Sequence, residues 1–340
     1  MKSNDTTNKG IFYRRFGVVT VFAVFFLILV GGIVRSTGSG MGCPDWPLCF
    51  GQYIPPTDIS QLPDDYKTIY AVAGKEIADF SAFKTWVEYV NRLVGVAIGL
   101  LVFFTLVFSF SYLKKDPQVT VFSFIAFVLV GVEGWLGSKV VATDLNPFMI
   151  TLHMLLALVI VGVLIYAVAR SKKQELSYSD PHNLKKVNKW LMIILSMSVF
   201  QIIMGTQVRE SIDEIAIAMG EAQRHLWIDQ LDEAFYFHRS FSIVVGILNI
   251  IFIKNVFIGT EEKHPARFWS LVLFGLLTTV VLSGAIMGHF GIPAFLQPIH
   301  LLLGSLIVGC QFYIALLVNH SRILGNVRKV EEKHSKNAIA

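Results

Sequence analysis

The stretch Gln297-Pro298-Ile299-His300 begins one long apolar segment of this chain, and Phe237-His238-Arg239 begins another. Two earlier stretches match them: Asn91-Arg92 opens an apolar segment, and Thr151-Leu152-His153 opens a later one. The separation between His238 and His300 along the chain equals the separation between Asn91 and His153. The same spacing in two places indicates an internal repeat.

Glycines keep the register of this repeat. Gly137 and Gly284 each precede the second histidine of their half by the same interval, and Gly162 and Gly309 each follow it by the same interval. A repeat this regular predicts two homologous halves. We place the N-terminal half at residues 1–175 and the C-terminal half at residues 176–340. The sequence Gly205-Thr206-Gln207-Val208-Arg209 likewise echoes Gly31-Gly32-Ile33-Val34-Arg35.

The composition is that of a membrane protein. Of the 340 residues, 54% are hydrophobic and only 16% are charged, which leaves too little charge to cover a water-soluble domain. A membrane-spanning helix needs about 20 mostly apolar residues. We predict eight such helices, four in each half, in an all-α integral membrane fold. The segments are 16–34, 87–112, 119–140, 149–169, 190–208, 236–257, 268–288 and 299–319.

The basic residues predict the orientation of these helices. If both termini are cytoplasmic, 20 of the 29 Lys and Arg residues lie in inner loops and tails. The net charge of +5 is then a topology signal rather than a sign of nucleic-acid binding. The first apolar run is long enough to span and lacks a small-residue cleavage site, so we expect no cleavable signal peptide. These features favour a bacterial plasma membrane, with lipid as the surrounding partner.

Residues 35–84 form a long outer loop between the first two helices. Glycine and proline are dense between Ser36 and Pro56, which predicts an ordered loop without helix or strand. Cys43 and Cys49 lie in this loop, in a compartment that permits disulfides. We consider two interpretations of the pair, a structural disulfide and a redox-active one. Cys310, in the last helix, is interpreted as a small buried hydrophobic residue.

The second helix opens with polar residues that are unusual at the end of a membrane span. Glu88 and Asn91 are three residues apart and share a helix face. Arg92 follows and is able either to reach the membrane surface or to meet an anionic ligand. Charged side chains at a membrane helix end are costly enough to suggest a function, although an interfacial anchor is the alternative. Glu133, deep in the third helix, is interpreted either as a proton or substrate contact or as a hydrogen-bond partner of another helix.

His238 and His300 are the leading candidates for a cofactor site. They lie at corresponding outer ends of two helices of one predicted four-helix unit, and facing helices build cofactor sites in such bundles. Neutral imidazole is a common axial ligand of heme iron, and two opposed imidazoles suit electron transfer. Arg239 is placed to neutralise a heme propionate. No Cys-x-x-Cys-His motif is present in the sequence, so covalent heme attachment is not predicted.

The N-terminal half departs from this symmetry. Its corresponding pair is Asn91 and His153, and an amide is a poor iron ligand. A heme there would be held by His153 from one side, with the other axial face open and Glu88 nearby. We therefore predict one cofactor half and one substrate half. The remaining histidines (His182, His225, His264, His289 and His320 among them) are given no predicted role, except that His289 is kept as a further candidate.

These motifs together resemble the heme A synthase family of bacteria and mitochondria. The resemblance is carried by the loop from Arg35 to Cys49, by Ile54-Pro55-Pro56, by the Glu88-x-x-Asn91-Arg92 box, and by the three histidine motifs. It covers nearly the whole chain. One departure stands out: Asn91 occupies the position of a histidine in the family's Glu-x-x-His-Arg pattern. The family's fold is two four-helix bundles related by a pseudo-twofold axis.

The resemblance implies an activity and a set of ligands. The reaction is oxidation of a methyl group of heme O to the formyl group of heme A, for cytochrome c oxidase. Heme b would lie between His238 and His300, and heme O near Glu88 and His153. The family's cysteine pair corresponds to Cys43 and Cys49.

Two other functions remain open beside this oxidoreductase. One is a b-type membrane cytochrome that only transfers electrons, and the other is a heme-binding oxidase assembly protein without turnover. Heme O synthase, an electron donor and a second copy of this chain are candidate partners.

Overall fold

A computed structural model describes residues 2–173, 176 and 178–324 of the protein. Within this part, eight helices are long and apolar enough to cross a membrane, which confirms the predicted all-α membrane fold. The predicted inner tail, 325–340, and residues 174, 175 and 177 at the predicted boundary between halves lie outside the described residues. The helices are α1 (Lys2–Ser36), α2 (Ala82–Ser109), α3 (Pro117–Ala142), α4 (Pro147–Ser171), α5 (Leu184–Met219), α6 (Glu233–Gly259), α7 (Pro265–His289) and α8 (Leu296–Val318).

Local chemistry at the helix starts explains where several of these helices begin. Helices α3, α4 and α7 each begin with proline, whose missing N–H costs nothing in the first turn. Asn146 accepts hydrogen bonds from the backbone N–H groups of Phe148 and Met149 at the start of α4. Asp232 caps α6 in the same way, by accepting from Ala234 N–H.

The helices contact one another as two closed rings of four. In the first ring α1 contacts α2 and α4, and α3 contacts α2 and α4; α5 to α8 repeat this arrangement. The rings meet where α8 packs on α1 and α4, and where α4 contacts α5. Helix α8 therefore has neighbours on most sides and is the most buried of the eight. The pseudo-twofold axis and the boundary near residue 175 stay predictions.

Small residues allow α1 and α8 to approach closely. A Cβ atom on Gly32 would lie 2.9 Å from Cβ of Pro298, and one on Gly309 would lie 2.8 Å from Cζ of Phe25. Close approach through small residues is a common means of helix association in a bilayer, where burial of apolar surface supplies little driving force. The repeat glycine Gly309 thus lies at the interface between the two rings.

Helix α5 is longer than predicted. The sequence suggested a helix ending at 208 and then a mixed-charge outer loop, but α5 continues to Met219 and a 3-10 helix follows over Glu221–Gln230. Val208 and Ile212 lie one turn apart and pack with the buried Trp227, so the extension is amphipathic rather than apolar. The helix ends where Gly220 adopts a positive φ of 73°.

The outer loop between α1 and α2 is ordered, and residues 37–56 contain no helix and no strand beyond a single bridge between Cys49 and Gln52, as the sequence predicts. The helical turns of the loop come after this stretch. They are a 3-10 turn at Ile59–Gln61 and one short helix at Tyr66–Ile69. A small hydrophobic cluster, comprising Cys43, Cys49, Phe50, Leu62 and Tyr66, holds it together.

Candidate functional site

The rings of His238 and His300 face each other across the C-terminal bundle. Their centres are 6.4 Å apart and their planes are inclined by 64°. His238 lies in the second turn of α6 and His300 in the second turn of α8, which stand diagonally opposite in the ring of four helices. The structure therefore brings together the two residues that the repeat singled out.

This separation fits a shared metal ion. Metal–imidazole bonds are about 2.0–2.1 Å long, and with about 1.2 Å from nitrogen to ring centre they place opposed rings about 6.4–6.6 Å apart. His300 is oriented for such a role because its Nδ1 lies 2.8 Å from the Ser283 hydroxyl oxygen. The Gln201 amide lies 3.4 Å from Nε2 of His238 and donates to its backbone carbonyl at 2.9 Å. The residues present fit an iron porphyrin held between two histidines.

Glycines lie against both of these rings. A Cβ atom on Gly284 would lie 3.2 Å from Cε1 of His300, and one on Gly205 would lie 3.3 Å from Cε1 of His238. Either contact is tighter than ordinary packing, so a larger side chain would displace the ring. Gly284 was recognised from the repeat; the contact of Gly205 with His238 was not predicted, although its echo of Gly31 was visible.

Arg239 lies at the outer rim of this bundle. Its side chain is exposed, and its guanidinium lies 5.4 Å from the ring centre of Tyr236 and 5.8 Å from that of Phe235. These contacts leave the guanidinium accessible to an anionic group at this end of the bundle. Its predicted role toward a propionate stays a prediction.

His153, in the N-terminal bundle, lies beside a carboxylate. Nδ1 of His153 is 3.2 Å from Oε1 of Glu133. The alignment of this contact falls short of a hydrogen bond, and within the described residues His153 Nδ1 and Glu133 Oε2 form none. A Cβ atom on Gly137 would lie 3.4 Å from Cε1 of His153, as Gly284 lies against His300. Buried polar atoms without partners mark this place as one that a further group could complete.

Asn91 stands where the C-terminal half has His238. No ring packs against the corresponding glycine, since a Cβ atom on Gly31 would meet no described atom within 4 Å. The contrast with Gly205, which a histidine ring covers, shows how the two halves differ. A side chain at Gly31 would therefore have space that a side chain at Gly205 would not.

Arg92 holds the outer loop in place. Its guanidinium donates to the backbone carbonyls of Asp45, Leu48 and Cys43 at 2.6, 2.9 and 2.8 Å. Nε of Arg92 donates to Oε1 of Glu88 at 3.1 Å. These contacts occupy most of its donors with protein groups, so direct binding of a substrate anion by Arg92 stays a prediction.

Glu88 is buried, with 5% of its surface exposed. Only Oε1 is engaged by Arg92; among the described residues Oε2 accepts no hydrogen bond. The neighbouring residue Thr85 donates to the carbonyl of Gly42 at 2.9 Å. A Cβ atom on Gly42 would collide with the Lys84 carbonyl, so only glycine allows the loop to lie this close to α2.

Cys43 and Cys49 form a disulfide bond, and both are fully buried under the loop cluster. Asp45 completes this part of the loop by accepting from the backbone N–H groups of Phe50 and Gly51 at 2.6 and 2.8 Å. Lys75, further along the loop, pairs with Asp144 between α3 and α4 at 3.1 Å. The loop is thus anchored on α2 and on the α3–α4 connection, over the outer end of the N-terminal bundle.

One carboxylate joins the two halves at the helix ends next to the cystine loop. Asp213, on the unpredicted extension of α5, accepts from Arg35 at 3.1 Å and from Arg209 at 2.6 Å. Arg209 also donates to the backbone carbonyl of Arg35 at 2.7 Å. The two arginines that the repeat matched thus share one acid, and this link between α1 and α5 depends on the length of α5.

The other histidines of the described residues have contacts of their own or are exposed, and His334 lies outside the described residues. His225 and His182 are exposed, and Nδ1 of His289 lies 2.7 Å from the Ala285 carbonyl oxygen of its own helix. His264 caps α7, where its Nδ1 accepts from Ala266 N–H at 3.1 Å. His320 is buried, with Nε2 at 2.7 Å from the Lys173 carbonyl. Cys310 is buried, as expected of a small hydrophobic residue.

Comparison with known proteins agrees with this arrangement. Heme A synthase from Shouchella clausii is 25% identical over 328 residues, which cover 93% of this chain and 99% of the relative. Heme A synthase from Shewanella oneidensis is 24% identical over 292 residues, covering 78% and 84%. The family model for cytochrome oxidase assembly protein matches residues 14–312, from the first spanning helix to the last. This chain therefore belongs to the COX15-CtaA family of cytochrome oxidase assembly proteins.

Proposed function

We propose that this protein is a heme A synthase, a membrane oxidoreductase that converts a methyl group of heme O to the formyl group of heme A for cytochrome c oxidase. The observation that carries the proposal is the difference between the two outer pockets. One has two opposed histidines 6.4 Å apart, and the other has a single histidine, His153, with Asn91 in the opposite place. A closed site suits storage of electrons, and an open one suits conversion of a substrate.

His238 and His300 would hold heme b in the C-terminal half. When bound, this group supplies a one-electron carrier close to the outer surface. The protein contributes orientation, because Ser283 contacts His300 and Gln201 contacts His238. Arg239, exposed at the outer rim, would balance the charge of a propionate.

His153 would hold the iron of the substrate heme O in the N-terminal half. Glu88 is the proposed proton acceptor or positioning carboxylate, because it is buried and its Oε2 is unengaged by the described residues. Arg92 would act mainly by fixing Glu88 and the outer loop in one geometry. The loop covers the outer end of this half and would exclude water from the oxidation.

The cystine of the loop is proposed to be structural. Cys43 and Cys49 are both 0% exposed and are surrounded by Phe50 and Tyr66, so thiol exchange would first require the loop to open. We also propose that both termini face the cytoplasm of a bacterium, as the basic residues predict. Heme O synthase, an electron donor and a second copy of this chain are the proposed partners.

Pigment analysis after co-expression with a source of heme O tests the function. Heme A in the extract supports the synthase. Heme B alone would indicate an electron-transferring cytochrome, and unmodified heme O would indicate a delivery protein; either result contradicts the proposal.

Two substitutions test the ligand assignment. His300→Ala should abolish the spectrum of the C-terminal heme, and its survival would refute the assignment of His300. Asn91→His should convert the N-terminal iron to a low-spin, six-coordinate form, because the space beside Gly31 is open to a ring. An unchanged spin state would argue against a heme beside His153.

A further inference from the structure

We propose that Glu133 is a positioning residue for His153, and that it makes this histidine a stronger electron donor to the substrate's iron than a neutral partner would. The inference rests on the proposed function, because it assumes an iron porphyrin in the N-terminal half. It goes beyond that function in assigning a role to a membrane-buried carboxylate that is neither a ligand nor part of the loop. The motif resemblance did not include Glu133.

The geometry places Glu133 on α3 and His153 on the neighbouring helix α4. Oε1 of Glu133 and Nδ1 of His153 are 3.2 Å apart, and 14% of the Glu133 side chain is exposed. Neither His153 Nδ1 nor Glu133 Oε2 has a hydrogen-bond partner in the described part of the chain. Each of the two groups is therefore the most available partner of the other.

Glu133 is a carboxylate within a membrane-spanning helix. An acidic side chain inside a membrane span is expensive, and such residues usually face a bundle interior and have a function. A metal-bound histidine normally donates its second ring N–H to a carboxylate or carbonyl, which fixes the tautomer and raises the basicity of the ligand. A metal at Nε2 of His153 would place the proton on Nδ1, beside Glu133.

Gly137 packs against the same ring. Its hypothetical Cβ atom would lie 3.4 Å from Cε1 of His153. Glycine at this position lets α3 approach α4 closely enough for Glu133, one turn away, to reach Nδ1. Gly137 and Glu133 thus lie against the same ring from one helix, the first allowing close approach and the second placing a carboxylate oxygen beside Nδ1.

The C-terminal half provides the contrast. Val280 precedes His300 by the same interval as Glu133 precedes His153, so valine occupies the position of the carboxylate. Nδ1 of His300 instead contacts the neutral hydroxyl of Ser283 at 2.8 Å. The half with two histidines therefore has a neutral second partner, and the half with one histidine has a carboxylate. A single strongly donating ligand and an open opposite face together favour chemistry at the iron over storage of an electron.

The test uses the full-length protein carrying iron porphyrin in both halves, with Glu133→Gln, Glu133→Asp and, as the matched control, Ser283→Ala. Resonance Raman spectra of the reduced protein report the iron–histidine stretch of the five-coordinate N-terminal heme, separate from the six-coordinate site. Potentiometric titration reports the reduction potential of each heme. Absorbance titration of heme into the apo-protein reports affinity.

Glu133→Gln should lower the frequency of the iron–histidine stretch and make the N-terminal potential more positive. It should also weaken heme binding in that half by about 10- to 100-fold, the usual effect of losing such a partner. Glu133→Asp keeps the carboxylate on a shorter side chain. Its iron–histidine stretch, reduction potential and heme affinity should lie between those of the wild type and those of Glu133→Gln. Ser283→Ala should change only the six-coordinate signals.

If Glu133→Gln binds the N-terminal heme with an unchanged iron–histidine stretch and an unchanged reduction potential, the role proposed for Glu133 is overturned. The proposed function is then left intact. Wild-type protein without any N-terminal heme would overturn both. Loss of the six-coordinate spectrum in both Glu133 variants would assign Glu133 to folding and would also overturn the proposal.

Discussion

Replacement of Arg92 by methionine should release the cystine loop from the outer end of α2. The guanidinium makes three hydrogen bonds to loop carbonyls, at 2.6, 2.8 and 2.9 Å, and a fourth contact to the buried Glu88. Methionine keeps much of the apolar stem and removes all four. The loop would retain its own disulfide and hydrophobic cluster, so the expected change is opening of the loop rather than its unfolding.

The magnitude follows from these contacts. Hydrogen bonds to a charged group contribute about 1.5–3 kcal/mol each, and water replaces part of this when the loop opens. Because the three carbonyl bonds act together and are not additive, we take about 3 kcal/mol as the cost to the closed state. Since every step of about 1.4 kcal/mol is a factor of ten, the population of the open loop should rise roughly 100-fold.

Reduction of the Cys43–Cys49 disulfide under native conditions measures this population. Both cysteines are fully buried, so a small thiol reductant reaches them only when the loop opens. The rate of thiol labelling after addition of reductant should therefore rise about 100-fold in Arg92→Met when opening is fast relative to reduction. Lysine has no planar group that could donate to three carbonyls at once. The labelling rate of Arg92→Lys should therefore lie between those of the wild type and Arg92→Met.

Arg239→Met is the matched control. Arg239 occupies the corresponding place in the second half but contacts aromatic rings at the exposed rim. Its loss should leave the labelling rate of the loop cysteines within about twofold of wild type, which corresponds to less than about 0.5 kcal/mol. A rise of less than threefold in Arg92→Met, with the wild-type fold retained, would refute the role assigned to Arg92.

Three further predictions follow from the geometry. Gly284→Val should displace the ring of His300, whose Cε1 lies 3.2 Å from the hypothetical Cβ, and should abolish the six-coordinate heme spectrum. Gly275→Val is the control, because a Cβ there meets no described atom within 4 Å, and it should keep that spectrum. Equal spectra of the two variants would contradict the prediction. Asp213→Asn should lower the free energy of unfolding by about 0.5–1 kcal/mol, because two arginines lose their shared, partly exposed acid, and the difference should shrink at high salt in thermal melts. Burial lowers the pKa of His264 from its ordinary value of 6.5. As the pH falls below about 6.5, the unfolded chain therefore binds more protons than the folded protein, and the free energy of unfolding should decline. His264→Asn, which still caps α7, should flatten that pH dependence in melts between about pH 7.5 and 5.5.

The membrane helices and the candidate ligand histidines were accessible from the sequence for a simple reason. In a bilayer every backbone polar group must be satisfied within its own segment, so a long apolar run has few alternatives to a helix. The repeat then matched His238 with Asn91 and His300 with His153 by counting residues. The same counting located Gly137 and Gly284, and the structure places each of them against a histidine ring.

Other features depended on which helix faces reach each other. Glu133 was visible as an unusual acid, but its partner His153 lies on another helix. Arg92 looked like a candidate ligand for an anion, whereas folding of the loop brings three carbonyl groups to it. The extension of α5 to Met219 was missed because its residues are amphipathic and only the packing of Trp227 makes that face buried.

The amino-acid sequence by itself determined the membrane class, the eight spanning helices, the twofold repeat and the histidines at matched positions. Each of these depends on the composition or spacing of residues along one segment, and local physics in a bilayer translates both directly into helices. Only the tertiary structure decided that Glu133 contacts His153, that Arg92 donates hydrogen bonds to the cystine loop, and that Asp213 pairs with two arginines from different halves. Such pairings depend on the rotation and separation of helices distant in the chain, which no local pattern encodes.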